Sequence, residues 1–117
     1  VTHQEEALNY QVIEPSALPA PHAAIAEKMK VASRGQTYVA QEGNRLFVIL
    51  SLGERSTGGY QIEVHEVVQK GNLVLIRAQE RTPNPNGFVS QVITHPMLVL
   101  SVETKGKVDD VKVEWIK

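Results

Sequence analysis

The chain has 117 residues, 12 of them Lys or Arg and 13 Asp or Glu, with no cysteine, 42% apolar residues and a formal net charge of −1. A chain of this length buries roughly 65% of the surface its unfolded form exposes, enough for one hydrophobic core, and the missing cysteine excludes disulfides, thiol nucleophiles and thiolate metal sites. Balanced charge excludes a broad nucleic-acid face, and no apolar run approaches the roughly 20 residues that cross a bilayer, so no membrane span is expected.

The chain begins at Val1 rather than Met. That predicts that a leader, an anchor or a neighbouring region has been cut away, and leaves the compartment open. Glu5 and Glu6 read as solubility charges in an N-terminal tail, and Tyr10 to Ile13 as a first strand. Pro15, Pro19 and Pro21 make a connector, because each proline fixes its own φ and drives the preceding residue out of the helical region. Pro21 suits the first position of a helix, and Ile25, Met29 and Ala32 then fall on one face. Glu27 and Lys30 can pair on the other, with Gly35 as the stop. The spacing predicts one short amphipathic helix over 21–33.

From residue 36 onward, β-branched runs are broken at Gly43-Asn44, Gly53 to Gly59, Gly71-Asn72, Pro83 to Gly87, His95-Pro96 and Gly106. This punctuation predicts strands near 37–41, 45–52, 60–69, 73–81, 88–94, 97–104 and 108–116. Tyr60, Ile62 and Val64 alternate with Gln61, Glu63 and His65, as in a strand with one wet face. Leu46 to Leu50 is apolar throughout and predicts a central strand covered on both sides, by the helix on one of them. Val111, Val113 and Trp115 alternate with Lys112 and Glu114 in a strand that can form a sheet edge and pair with another copy, opposed by Lys112 and Lys117. The expected architecture is mainly β in one domain over 1–117. Residues 1–20 hold a strand and the Pro-rich connector, 21–33 the helix, and 36–117 the β region. Seven or eight mostly antiparallel strands form a sandwich or a partly open barrel, with the helix packed on the sheet. The core is expected to contain Ile25, Met29, Leu46, Val48, Leu50, Tyr60, Ile62, Val64, Leu75, Val99 and Trp115, and the molecule to be a monomer or weak dimer.

Chemistry is sparse. Gly53 to Gly58 has the glycine spacing of a phosphate loop, but Gly59 stands where lysine is needed and a strand follows instead of a helix. His3, His22, His65 and His95 have no ligand spacing, so no metal is expected, and no cofactor either. Ser56 and Thr57 lack a sequence-evident base, and His95 before Pro96 reads as a corner between strands. Adjacent Asp109 and Asp110 would point to opposite faces of a strand rather than across a cleft. What remains is the connection from Gly53 to Tyr60, longer than a hairpin needs, with Arg55 at its tip and Tyr60 at its base. Either Gly58 or Gly59 is expected to need positive φ there.

The stretch Gly53-Glu54-Arg55-Ser56-Thr57-Gly58-Gly59-Tyr60-Gln61-Ile62-Glu63-Val64 resembles the G-x-R-x-T-G-G-Y-x-I-x-I signature of the PrcB C-terminal domain family. The likeness continues through Leu73 to Leu75 and Gln91 to Pro96, over about residues 45–104. That family is named for a non-catalytic subunit of a bacterial surface protease complex. The resemblance therefore implies an extracytoplasmic, β-rich protein-binding module rather than an enzyme, accessory to or stabilising a protease or envelope assembly. Its contact residues would be Arg55, Ser56, Thr57, Gly58, Gly59 and Tyr60. More distantly the loop resembles the Thr-Thr-Gly-Tyr loop of chagasin-type cysteine-protease inhibitors, which implies a protease inhibitor as the alternative. The chain departs from that pattern, with Ile62 in place of an aromatic and no Arg-Pro-Trp loop. A hydrolase with an unrecognised site is the remaining alternative.

Overall fold

The computed structural model describes residues 6–84, 86–89, 91–105 and 108–116. Its strands are β1 (Glu6–Ala7), β2 (Tyr10–Ile13), β3 (Arg34–Glu42), β4 (Arg45–Gly53), β5 (Gln61–Lys70), β6 (Leu73–Arg81), β7 (Met97–Glu103) and β8 (Asp110–Ile116). A 3-10 turn at Pro15–Ala17 leads into the helix α1 (Ala20–Met29). The strands form two four-stranded sheets, β1-β5-β6-β8 and β2-β7-β4-β3, in a sandwich rather than a closed barrel. All pairs are antiparallel except β6 with β8.

The unbroken apolar run in β4 is explained by what covers it. Leu46, Val48 and Leu50 face the other sheet and meet Val67, Val74, Ile76, Ala78, Leu100 and Val102. Phe47 and Ile49 point the opposite way, into a second cluster with Leu18, Ala26, Met29 and Val99 under α1. A strand buried on both faces has no polar phase, so its sequence shows no alternation. In β5 the alternation is real but interrupted. Register slips between Val64 and Glu66, so His65 is a bulge and the inward set passes from Ile62 and Val64 to Val67. The outer face of that sheet is wet, with Glu66 paired to Arg77 and Glu63 to Arg81. The hydrogen bond from Arg81 holds the Glu63 carboxyl below its usual range.

Several expectations need correction. The helix starts at Ala20 and stops at Met29 instead of reaching residue 33, although Glu27 and Lys30 do pair at 2.9 Å. The chain beyond it is claimed by β4: Arg34 pairs with Gly53, and the Ser33 carbonyl accepts a hydrogen bond from Glu54 N at 3.1 Å. Tertiary pairing thus overrides local helix preference, and Gly35 lies inside β3 rather than ending a helix. The strand predicted at 88–94 is a loop among its described residues, with one isolated β-bridge, Thr94 with Arg55. Glu6, read as tail, is in β1 and pairs with Lys105 at 2.8 Å. Tyr60, Leu75 and Trp115 are not core: Tyr60 is half-buried and packs against neither cluster. Val74, Ile76 and Ala78 take the inward positions of β6, which turns Leu75 outward. Trp115 has the inward phase of Val111 and Val113 but sits past the end of the core, 41% exposed. Readings that fall on Val1, His3, Glu5, Pro85, Ser90, Gly106, Lys107 and Lys117 lie outside the described residues.

Candidate functional site

Two connections cross between the sheets at the same end of the sandwich. One, residues 54–60, leads from β4 to β5; the other, residues 82–96, leads from β6 back to β7. They are tied to each other. Arg55 N donates to the Thr94 carbonyl at 2.8 Å and Thr94 N to the Arg55 carbonyl at 2.9 Å, while Thr94 Oγ1 donates to the Thr57 carbonyl at 2.8 Å. Of the two candidate glycines, positive φ falls on Gly59 (+91°) and not on Gly58. A Cβ on Gly59 would lie 2.7 Å from Pro83 Cβ and 3.0 Å from Val89 Cγ1, so this glycine lets the two connections touch.

The Arg55 side chain is not a free fork at a loop tip. Its Nε and Nη2 donate to the Glu80 carboxylate at 3.0 and 3.2 Å, and Nη1 donates to the carbonyls of Leu52 and Glu54 at 3.0 and 3.1 Å. Its guanidinium carbon lies 5.6 Å from the centroid of the Tyr60 ring. The cause lies in β6, where Glu80 continues the inward phase of Val74, Ile76 and Ala78. A carboxylate there is costly unless paired. Arg55 supplies the pair, and the hydrogen bond to Glu80 raises the Arg55 pKa above its ordinary value. The loop is therefore held from inside by its own most conspicuous charge.

Among the described residues of the two connections, three large apolar side chains stand in solvent beside polar ones such as Glu54, Asn84 and Gln91. Phe88 is fully exposed, and Val92 and Ile93 are 58% and 62% exposed. In the shorter connection Ser56 and Gly59 are exposed, with Thr57, Gly58 and Tyr60 half-buried. The β-branched run at 88–94 predicts a strand, and a strand assignment hides these three side chains. Three exposed branched or aromatic residues between Pro83 and Pro96, a segment bounded by prolines, were the available signal.

The profile of a family described as PrcB C-terminal matches residues 46–103. This region belongs to the PrcB C-terminal family. A protein of Methanocaldococcus jannaschii, described as "Uncharacterized protein MJ1373", is 27% identical over 95 residues, 81% of this chain. The chain spans about half the length of that relative, 50%. No solved structure matches. The PrcB C-terminal region runs from β4 through β7 and so contains both crossing connections, Arg55 and Glu80 included, while β1, β2, the 3-10 turn, α1, β3 and β8 lie outside it.

Beside the PrcB C-terminal loops, a cleft of about 630 Å³ opens between the sheets, lined by Gly35, Thr37, Leu52, Glu80, Trp115 and Ile116 among others. No hydrogen bond joins His65 or His95 to Ser56 or Thr57 among the described residues; His65 Nε2 lies 2.8 Å from Gln79 Oε1 on the wet face. His22 belongs to α1, with Nδ1 3.0 Å from the Tyr38 hydroxyl and Nε2 3.6 Å from Glu42, a link between helix and sheet. Among the described residues no three His, Asp or Glu side chains converge as metal ligands, and no helix is long and apolar enough to cross a membrane.

Proposed function

We propose that this protein is a non-catalytic protein-binding module, an accessory or stabilising component of an extracytoplasmic protease or envelope assembly. It holds its partner with the end of the sandwich where the two connections cross. The observation that carries the reading is a buttressed loop pair that leaves Phe88, Val92 and Ile93 in solvent. A loop held in place by its own hydrogen bonds loses little conformational entropy when its exposed apolar side chains bind, and aromatic anchors dominate such interfaces. Membership of residues 46–103 in the PrcB C-terminal family supports an accessory role. Within the loop, Ser56, Thr57, Gly58 and Gly59 supply contacts, while Arg55 and Tyr60 set its shape.

The test is affinity capture from the source envelope fraction with wild type, Phe88→Ser and Ile93→Ser side by side, followed by calorimetry on the protein retained. Phe88→Ser is expected to weaken binding at least about tenfold with the melting temperature unchanged, because a fully exposed side chain contributes little to folding. Equal retention by all three proteins would remove the loop end as the binding surface. If the partner is a protease, its activity separates the roles: falling activity on binding marks an inhibitor, unchanged activity with a longer lifetime a stabiliser.

A further inference from the structure

The two sides of the sandwich end unequally. On one side lie β1 and β2, of two and four residues; on the other lie β3 and β8, of nine and seven. An outer strand presents unpaired N–H and C=O groups, and proteins ordinarily guard long ones with charges, prolines or bulges. β8 is guarded, with Asp110, Lys112 and Glu114 along it. β3 is not: Gln36 to Gln41 carries no charge and no proline, and its register against β4 has no bulge.

The charges at the two ends of β3, Arg34 and Glu42, are complementary under one symmetry. A two-fold axis normal to the sheet through Tyr38 sets β3 antiparallel to its copy. It pairs Arg34 with Glu42, Gln36 with Ala40, Thr37 with Val39 and Tyr38 with itself. This register uses the whole strand and makes both charge pairs. The smallest slip that keeps α1 on the same face in both copies is two residues, and it unmakes both. We propose that the protein forms a two-fold dimer through antiparallel pairing of β3 with β3 of a second copy, closed at each end by Arg34 and Glu42. The seat of self-association is thus β3 and not the terminal strand Val111 to Ile116. The pairing joins the β2-β7-β4-β3 sheets of the two copies into one eight-stranded sheet and places Val39 of the second copy at the rim of the cleft lined by Thr37, Trp115 and Ile116. The dimer leaves the loop end of each copy free.

Sedimentation velocity on the intact chain from about 1 µM to 1 mM, a range that covers weak to moderate affinities, reads the association directly. Arg34→Glu is expected to weaken the dimer roughly tenfold, since like charges then oppose each other at both ends. Glu42→Arg should do the same, and Arg34→Glu with Glu42→Arg together should recover most of the loss. Arg34→Glu is the cleaner single change, because Glu42 also approaches His22. Should a charge reversal fail to fold, the wild type alone still decides: Trp115 is the one tryptophan, and its emission should shift to shorter wavelength in step with dimer mass. A chain that stays monomeric across the range overturns the proposal. So does a dimer indifferent to both single reversals, or one broken by Phe88→Ser.

Discussion

A guanidinium that spends its donors on four oxygen acceptors of its own chain, as Arg55 does, shapes the loop more than it advertises it. The pair with Glu80 is bidentate and about 70% shielded from solvent at both partners, the circumstance in which an ion pair contributes measurably. Arg55→Ala is therefore expected to cost about 1–2 kcal/mol in urea unfolding, where a bare exposed loop charge would cost almost nothing. A double-mutant cycle with Glu80→Ala should return a coupling of about 0.5–1 kcal/mol, and additive single costs would sink the claim that the pair organises the loop. Arg55 was legible in the sequence as the notable residue of its loop, but its partner was not, because Glu80 lies on another strand. The trace of Glu80 was its phase. It shares the parity of Val74, Ile76 and Ala78, and an acid on a core parity calls for a cation somewhere else in the chain.

At the level of elements, β4 joins the two halves of the interior, one face to each. Ile49 and Leu50 are adjacent, both fully buried, and they serve different neighbours: Ile49 lies under α1, Leu50 between the sheets. Truncating either to Ala should cost about 2–4 kcal/mol. Native-state hydrogen exchange separates them. Ile49→Ala should speed exchange most in Ala20–Met29, and Leu50→Ala most in β5 and β6, whereas one common pattern for both would mean that the two clusters open as a single unit. That β4 is covered twice was legible from five apolar residues in a row. Where α1 ends was not, since Lys30 to Ser33 carry no strong breaker and their fate is set by Gly53, whose φ of +78° brings the end of β4 against Arg34. Turn chemistry and periodicity are local and can be read. The competition between a helix end and a strand twenty residues away is not local.

For the molecule as a whole, the strands themselves were largely visible, and their order in the sheets was not. Nothing near β4 announces that it pairs with β7, or that β8 joins β6 in parallel. This long-range pairing is also what brings both crossing connections to one end, so the exposure of Phe88, Val92 and Ile93 became visible only with the fold. Its consequence for binding concerns charge. The chain carries a net charge of −1, Arg55 is neutralised internally by Glu80, and the three large apolar side chains exposed at the loop end are uncharged, which leaves Glu54 as the exposed acid of the shorter connection. Association at this end should then draw on apolar burial, about 1.5–3 kcal/mol for a large side chain taken fully out of water, and little on long-range attraction. Raising NaCl from about 0.05 to 0.5 M cuts the Debye length from about 14 Å to about 4 Å, and that change should alter the affinity for the captured partner by less than about threefold. Calorimetry at the two salt concentrations measures it. A loss of tenfold or more would mean that charged groups carry the contact, and would move the binding surface away from Phe88 and its neighbours to the ion-paired outer face of the sheet that bears Glu63, Glu66, Arg77 and Arg81.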